Sequence, residues 1–426
     1  MKYFWKPILM AMAAVLLMAM VSCSSSEDIP VPDDDTVVDM MPIIMDAGMT
    51  EDQKQMRDNN NEFACRLFRT VLDFKEDKGS TVLSPISVTY LLGMLNEGAY
   101  GETLKQISDV LGMGDSPQLI SEYCQKMISE ASAVDPSVTI KIANAIDVNS
   151  AMGINLYPEY ASAMRSYYNA QIEALDFNKR SSLDHINNWC STHTDGMIPF
   201  ILDEISPSCV MYLLNAIYFK AIWTQKFDPK ATRNMDFSTP DGKSVKRKLM
   251  HRKARAMYGK NDLCSILCLP YGNLSYCMYV VLPNEGISVN DIVNALSAQT
   301  LTNYLNSLNA HEVDILLPRY TTSSDIQLVE VMSAMGMPRA FSPKAEFPKM
   351  AQGLNLYVSM MKQKAMIEVN EEGTRAAAVT IAGTEVTSAG HMEFGKVDFH
   401  ATRPFLYFIR EERTRSLLFM GTYCGD

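Results

Sequence analysis

The chain has 426 residues, of which 47% are hydrophobic and 20% charged, a composition typical of a globular protein with a large core. Its 38 Lys and Arg against 49 Asp and Glu give a formal net charge of −11. Because neutralising phosphates requires Lys and Arg, this balance argues against nucleic acid as a partner.

The first residues have the layout of a signal peptide. Lys2 and Lys6 precede an uncharged apolar run, residues 8–21, that is too short for a comfortable transmembrane helix. The end of the run and the residues after it read Met20-Val21-Ser22-Cys23. This sequence resembles the lipobox of bacterial lipoproteins, in which the cysteine is acylated and becomes the N-terminal residue. We therefore predict a signal peptide over residues 1–22 and lipidation of Cys23. A plain secretory signal with an incidental cysteine is the alternative.

Residues 23–54 are predicted to be an acylated cysteine followed by a flexible tether, because the stretch begins with low hydrophobicity and high charge. Several acyl chains would hold the protein stably on a membrane, whereas one chain binds marginally. The acidic run after Cys23 resembles the surface-export signals of some Gram-negative lipoproteins, although it also suits any solvated linker. The predicted location is the cell envelope, lipid-anchored in the outer membrane, with surface exposure as a further expectation.

The folded part is predicted to span residues 55–426 as one domain. Periodicity predicts helices over residues 61–72, 88–99, 103–111, 183–194 and 323–335. Apolar or alternating runs predict strands over residues 139–146, 210–220, 275–282, 313–317 and 417–422. Helices dominate the first half and strands the second, which indicates the α+β class with large antiparallel or mixed sheets.

Residues that carry enzyme chemistry form no recognisable motif. The sequence has no Gly-x-Ser-x-Gly elbow, no His-Glu-x-x-His and no phosphate loop, and its six histidines are scattered. Eight cysteines follow Cys23 without a Cys-x-x-Cys pair, so buried free thiols are expected rather than a disulfide framework. Cys264 and Cys268 have no nearby histidine to complete a zinc site. We predict no enzyme activity, no metal site and no cofactor.

An ordered series of short motifs resembles the serpin family of serine protease inhibitors. The motifs are LSPIS at 83–87, GAYGET at 98–103, NAIYFKAIWTQKF at 215–227, LLPRY at 316–320, MGMPRAF at 335–341, EVNEEGTRAAA at 368–378, FHATRPFLYFI at 399–409 and LLFMG at 417–421. Each motif is weak alone, but the ordered set is specific and extends to the end of the chain. The resemblance implies a monomeric serpin fold of about nine helices and three β-sheets, with an exposed reactive-centre loop at about residues 371–396.

The segment that leads into this loop has the pattern of a strand that can enter a sheet. Residues 364–370 alternate, with Ala365, Ile367 and Val369 on one face. Beyond Gly373 the alternation continues with small uncharged side chains on one face, namely Thr374, Ala376, Ala378, Thr380 and Ala382. No proline occurs in residues 374–403, so each backbone N–H there can join a sheet. A flexible loop with an alanine run, or a short helix, is the alternative.

The resemblance also implies roles for individual residues. The hinge of an inhibitory serpin maps onto Glu371, Glu372, Gly373, Thr374, Arg375, Ala376, Ala377 and Ala378. Arg375 departs from the family pattern, which has Glu there, and is expected on the solvent face of an inserted strand. The buried polar cluster where the main sheet opens maps onto Ser84, Ser87, Asn215 and Gln363, with Trp223 where the loop enters. Gln363 replaces the family histidine, so the cluster would lack a titrating group.

These features predict an irreversible suicide inhibitor of serine proteases, with cysteine proteases as further targets. The distance from hinge to cleaved bond that is usual in inhibitory serpins, counted from Gly373, implies a bond at Thr387–Ser388, with Val386 as the neighbouring alternative. The spacing of a common inhibitory serpin, counted back from Pro404, implies a bond near Glu393 instead. Small β-branched residues before the bond favour an elastase-like protease. A non-inhibitory serpin that acts as a binding or chaperone-like module is the alternative function.

A basic stretch at residues 243–255 offers a second candidate site. It contains Lys243, Lys246, Arg247, Lys248, Arg252, Lys253 and Arg255. Such a stretch could bind a polyanion, as some serpins bind glycosaminoglycans, but charge runs usually serve solubility, so a solvated pair of strands is the favoured interpretation.

Overall fold

Nine α-helices occur in the part of the chain that the computed structural model describes, residues 48–77, 79–133, 135–352, 356–374 and 394–426. They are α1 (Glu51–Asp73), α2 (Pro85–Gly98), α3 (Gly101–Leu111), α4 (Pro117–Ala133), α5 (Pro158–Tyr168), α6 (Arg180–His193), α7 (Val289–Asn294), α8 (Ala298–Asn306) and α9 (Val329–Met335). Helix α1 begins at a capping box, in which Thr50 and Gln53 satisfy each other's backbone N–H groups.

Seventeen strands accompany these helices in the described ranges. They are β1 (Thr81–Leu83), β2 (Val138–Asn149), β3 (Asn155–Leu156), β4 (Gln171–Leu175), β5 (Met211–Ile222), β6 (Arg233–Ser238), β7 (Ser244–Lys260), β8 (Cys264–Tyr271), β9 (Tyr276–Pro283), β10 (Asn309–Pro318), β11 (Tyr320–Gln327), β12 (Ala351–Gln352), β13 (Met360–Asn370), β14 (Gly373–Thr374), β15 (Lys396–His400), β16 (Phe405–Glu411) and β17 (Ser416–Tyr423).

The strands form three sheets. A nine-stranded sheet has the order β1-β17-β16-β9-β8-β7-β10-β15, with β6 paired to β7. A six-stranded sheet, here called the central sheet, has the order β11-β13-β14-β5-β2-β4, and β12 pairs with β3. The predicted α+β class, the nine helices and the three sheets are therefore confirmed over the described residues.

Two apolar cores cover the central sheet. The larger core contains α2, in which every residue except Glu97 is buried, and one face of β5 with Leu213, Ile217 and Phe219. The smaller core packs α6 through Ile186, Trp189 and Cys190 against residues of β2 and β5, including Ala143, Ala145, Leu214 and Ala216. The central sheet is thus packed on both faces at β5, the strand beside which the candidate site lies.

Several predicted boundaries differ from the structure. Helix α1 begins at Glu51, so residues 51–54, which were assigned to the tether, are helical. Residues 323–327 were predicted to be helical but belong to strand β11, because they pair with β13 and only residues 329–335 form a helix. The proposed loop 371–396 is shorter at both ends, since Gly373–Thr374 and Lys396 lie in strands.

The cysteines agree with the prediction. All eight cysteines of the described ranges are free thiols, and seven are buried, with Cys209 partly exposed. Burial raises the pKa of Cys65 to about 12, so this thiol is protonated at neutral pH. No helix of the described residues is long and apolar enough to cross a membrane. The predicted signal peptide, Cys23 and most of the tether lie outside the described residues.

Candidate functional site

The candidate site is the end of the central sheet where β13 and β5 separate. Along residues 360–366, β13 pairs directly with β5 in parallel, from Met360 opposite Tyr212 to Met366 opposite Tyr218. Further along, β14 lies between them, with Thr374 opposite Val369 on one side and Ala221 on the other. The central sheet is therefore closed at one end and holds the start of an additional strand at the other.

The turn from β13 into β14 depends on Gly373. Its backbone has φ of +149°, a conformation that L side chains rarely adopt. A Cβ atom there would lie 2.1 Å from the carbonyl oxygen of Ala221 and 2.7 Å from Cα of Ile222. The side-chain oxygen of Asn370 accepts hydrogen bonds from the N–H groups of Glu372 (3.0 Å) and Gly373 (3.3 Å) and fixes the turn.

Both glutamates of the hinge are held by neighbouring residues. The carboxylate of Glu371 is buried, accepts a hydrogen bond from the Thr232 hydroxyl at 2.8 Å and lies 3.7 Å from Arg319. Glu372 forms an ion pair with Lys226 at 2.5 Å. The backbone carbonyl of Glu371 accepts from the N–H of Phe227 at 2.9 Å. The hinge is consequently anchored by both its side chains and its backbone.

Trp223 and Tyr271 pack against each other and form hydrogen bonds to the hinge. Their rings stack with centroids 4.3 Å apart, and Trp223 is 3% exposed. The indole N–H of Trp223 donates to the carbonyl of Asn370 at 2.9 Å, so the tryptophan packs in the core and also binds the hinge. The hydroxyl of Tyr271 lies 2.7 Å from that of Thr374. Burial raises the pKa of Tyr271, which keeps this hydroxyl protonated.

A buried hydrogen-bond network joins the two strands where they still pair. The side chain of Gln363 accepts from the N–H of Ser84 at 2.9 Å and donates to the Ser84 carbonyl and to Asn215 Oδ1, each at 3.0 Å. Asn215 donates to Asn144 Oδ1 at 3.0 Å, and the hydroxyl of Ser84 donates to that of Ser87, also at 3.0 Å. An additional strand that continued between β13 and β5 would have to break the contact of Gln363 with Asn215.

Some site residues were missing from the sequence analysis. Asn144 and Asn370 are single polar residues at the middle and end of strands, and nothing in their spacing shows that they meet Asn215 or cap a turn. Tyr271 reaches the hinge from the end of β8, Thr232 from just before β6 and Arg319 from between β10 and β11. The predicted positions Arg375, Ala376, Ala377, Ala378, Val386, Thr387 and Ser388 lie outside the described residues.

The basic stretch lies mainly on β7 and is largely paired within the protein. Lys243 contacts Asp241 at 2.6 Å, Lys246 contacts Asp236 at 2.9 Å and Lys253 contacts Asp314 at 3.1 Å. The guanidinium groups of the stretch contact backbone carbonyls or aromatic rings, as Arg247 does with Gly425, Arg252 with Gln225 and Phe227, and Arg255 with Phe394. These pairings favour the interpretation of solvated strands over a polyanion site.

Taken together, the site defines a class of protein whose central sheet is opened at one end by the start of a further strand. The chain belongs to the serpin family: the family model Serpin (serine protease inhibitor) matches residues 58–425. Serpins are inhibitors of proteases in most cases and generally not enzymes.

Similar proteins cover nearly the whole fold. Antithrombin-III from Mus musculus is 30% identical over 373 residues, which are 85% of this chain and 80% of that protein. The leukocyte elastase inhibitor from Sus scrofa is 30% identical over 383 residues, 86% and 98% of the two chains. The crystal structure of Tengpin, a thermophilic serpin in the native state, has a TM-score of 0.80 at 28% identity and covers 92% of this chain and 99% of its own.

A further solved structure belongs to a binding protein. Thyroxine-binding globulin in complex with thyroxine has a TM-score of 0.76 at 26% identity, with 86% of this chain and 98% of that chain covered. The family therefore includes members with a function other than protease inhibition.

Proposed function

We propose that this serpin is an irreversible suicide inhibitor of serine-type endopeptidases, with an elastase-like enzyme as the favoured target and cysteine proteases as further targets. The observation that carries the proposal is the position of Thr374, which already pairs with both β13 and β5. The residues that follow it in the same alternation, Ala376, Ala378, Thr380 and Ala382, are small enough to continue into the sheet.

The proposed mechanism begins with an ordinary proteolytic step. The nucleophile of the protease attacks the carbonyl carbon of Thr387, the bond to Ser388 breaks, and the new amine takes the proton. The acyl-enzyme then remains attached to a chain end that is no longer held on its far side. Residues after Thr374 insert between β13 and β5, carry the protease along and distort its active site before water releases it. The inhibitor contributes no catalytic group and needs no cofactor.

The free energy for this step comes from strand pairing. In the central sheet β13 and β5 pair in parallel, whereas an inserted strand would pair antiparallel with both. Antiparallel pairing is slightly more stable per residue, and each inserted residue adds backbone hydrogen bonds that a solvated loop lacks. The hinge contacts of Gly373, Trp223 and Tyr271 support this step, because they hold Thr374 in register with both neighbouring strands.

The first residues support a proposal for the site of action. The lipobox-like sequence before Cys23 supports anchoring of a monomeric inhibitor in the cell envelope, at the outer membrane and facing the outside. A serpin tethered there would meet proteases at the cell surface. Growth with labelled palmitate, followed by purification of the wild type and Cys23→Ala, tests the anchor, since only the wild type should carry label.

Denaturing gels with a panel of proteases test the inhibitory function. Elastase should give a complex that survives denaturation, and mass spectrometry should find a released C-terminal fragment that begins at Ser388, or at Thr387 if the bond after Val386 is cut. Thr387→Arg should shift complex formation towards trypsin, because the residue before the bond sets the specificity. Cleavage by every protease without a complex would refute inhibition and favour the binding-module alternative. A fragment that begins beyond Gly390 would refute the assigned bond.

A further inference from the structure

Four ligand-type side chains converge on the face of the nine-stranded sheet formed by β7, β10 and β15. The carboxylate of Asp314 on β10 lies 2.9 Å from Nε2 of His251 on β7 and 3.4 Å from Nε2 of His400 on β15. Asp398 lies directly beside Asp314 in the pairing of β10 with β15. Single ligand atoms of Asp314, Asp398 and His400 all lie within 4.8 Å of one another.

The strand register explains the convergence. His251 of β7 and His400 of β15 flank Leu316 from opposite sides, and Lys253 and Asp398 flank Asp314 in the same way. Because side chains two apart on a strand share a face, all of these groups project from one side of the sheet. Most of these residues are far apart in sequence, so they form no local ligand motif, and the sequence analysis predicted no metal site.

We propose that His251, Asp314, Asp398 and His400 bind one zinc ion. Two imidazole nitrogens and two carboxylate oxygens are a ligand set that zinc accepts in tetrahedral geometry, with ligand atoms about 3.3 Å apart for bonds of about 2.0 Å. The two histidine nitrogens already approach the same Asp314 oxygen at close to this spacing. The side chains of His251, Asp314 and His400 are 38%, 23% and 41% exposed, so an ion can enter from solvent.

Lys253 places a positive charge beside the proposed ion. Its ammonium lies 3.1 Å from the second carboxylate oxygen of Asp314. Partial burial of the Asp314 carboxyl opposes ionisation, but hydrogen bonds from Lys253, His251 and His400 outweigh it and lower the pKa of Asp314. The carboxylate is thus anionic at neutral pH and faces three cationic or neutral donors. Zinc would replace the histidine contacts and leave that of Lys253 in place.

The ion would fix the strand that follows the reactive-centre loop. Among the strands of the described residues, β15 lies at the edge of its sheet and pairs with β10 alone. It starts at Lys396, three residues after the end of the undescribed segment 375–393. Zinc held by β7, β10 and β15 together would tie this edge strand to two neighbours and stiffen the attachment of the loop on its C-terminal side.

Metal titration of the full chain, purified without a histidine tag, tests the proposal. Calorimetry with zinc chloride should give one ion per chain, and cobalt(II) in place of zinc should give the visible absorption of a tetrahedral site. His400→Gln should weaken zinc binding by about tenfold or more, since even second-shell changes cost this much in metal sites. His311→Gln is the matched control, because His311 lies on β10 with its side chain against Tyr258.

One further variant and one further measurement distinguish loss of the zinc site from misfolding. Lys253→Gln should bind zinc more tightly than the wild type, because it removes a positive charge from the site. Zinc should slow amide hydrogen exchange in residues 397–400 of the wild type but not of His400→Gln. Absence of binding, equal binding by the wild type and His400→Gln, or weaker binding by Lys253→Gln would each overturn the proposal.

Discussion

Gly373 decides whether the hinge can lie inside the central sheet. Its Cα faces the backbone of β5 so closely that a side chain would meet backbone atoms, which cannot rotate away. The sequence indicated that a glycine here permits unusual backbone angles, but it could not show that the neighbouring strand leaves no room. The glycine is therefore needed both for the turn and for the close approach of the hinge backbone to β5.

Substituting Gly373 should expel β14 from the sheet. We expect Gly373→Ala to increase amide hydrogen exchange in residues 371–374, because the new Cβ would overlap the carbonyl oxygen of Ala221. Gly242→Ala is the control, since Gly242 also has a positive φ (+78°) but has no atom within 4 Å of an added Cβ. Equal exchange in the Gly373→Ala and wild-type proteins would contradict this account.

Asp147 is a second residue with a specific energetic role. It is fully buried on β2, opposite Tyr212 and beside Glu173, and within the described ranges neither carboxylate oxygen has a hydrogen-bond partner. Burial, with a smaller contribution from the charge of Glu173, raises the pKa of Asp147 to about 8. The side chain is therefore protonated in the folded protein at neutral pH.

This burial predicts a pH dependence of stability. In the unfolded chain an aspartate loses its proton near pH 4, whereas folded Asp147 keeps its proton up to about pH 8. Because the folded state binds the extra proton in this window, the free energy of unfolding should fall as pH rises, by up to about 1.4 kcal/mol per pH unit. Urea unfolding of Asp147→Asn should show a flatter profile and higher stability at pH 7.5. The exposed Asp184→Asn should follow the wild type, and a wild-type-like slope in Asp147→Asn would refute the assignment.

Residue-level predictions from the sequence were limited by long-range contacts. Ser84, Ser87, Asn215 and Gln363 were grouped by family resemblance, and the structure brings them into one network. Asn144 was not found, because a single asparagine in an apolar strand carries no signal of its partner. A network that joins α2, β2, β5 and β13 depends on tertiary packing, which local patterns do not encode.

At the scale of elements, the proposed function depends on strands β13 and β5 and on the strand that would insert between them. The alternation of Ala365, Ile367 and Val369 predicted one buried face of β13, and all three are buried. The same period in residues 374–382 leads to the expectation that the inserted strand also has one buried face.

A charge on the inserting face should convert inhibitor into substrate. Ala376→Arg would place a guanidinium on the buried side of the inserted strand, where desolvation of a charge is costly. The ratio of complex to cleaved product on denaturing gels should fall strongly. Ala377→Arg, one residue further and on the opposite face, is the matched control and should inhibit nearly as well as the wild type. An undiminished ratio in Ala376→Arg would show that the hinge is misassigned.

Phe200, in the segment after α6, binds Lys364 of β13, and this contact should oppose separation of β13 from β5. The ammonium of Lys364 donates to the carbonyl of Phe200 at 3.0 Å and lies 4.2 Å from the centre of its ring. A cation–π contact of this kind contributes about 0.5–2 kcal/mol. We expect Phe200→Ala to accelerate loop insertion several-fold, measured by a fluorophore on residue 385 after protease addition. Phe74→Ala, another exposed phenylalanine, should leave the rate unchanged. A slower rate in Phe200→Ala would contradict this role of the contact.

Element boundaries were hardest to predict where a strand is polar. Residues 320–327 read YTTSSDIQ, with few apolar side chains, so their pattern did not separate strand from helix. They form the edge strand β11, where only one side pairs and solvent-facing positions carry Thr, Ser and Asp. Helices α4, α5, α7 and α8 were not predicted, and α7 and α8 are short, with six and nine residues. Longer apolar strands such as β5 and β9 were predicted within a few residues.

For the whole molecule, inhibition by strand insertion requires that the intact fold is less stable than the cleaved one. Over the described residues, Gly373 and Thr374 of the hinge occupy two positions between β13 and β5, and the hydrogen bond of Gln363 with Asn215 joins these strands further along. Releasing the loop would exchange these contacts for a complete antiparallel strand. The proposed inhibition would use the difference in free energy between these two arrangements.

The most direct test of this claim is to melt the intact protein and the protein cut once between Thr384 and Met392, side by side in a calorimeter. The cut protein should melt several degrees or more above the intact one, because even a few kcal/mol of added stability shift the midpoint that far. The same cut in Ala378→Pro, which lacks a backbone donor in the inserting strand, should give a smaller rise. An unchanged or lower midpoint after cleavage of the wild type would contradict the account.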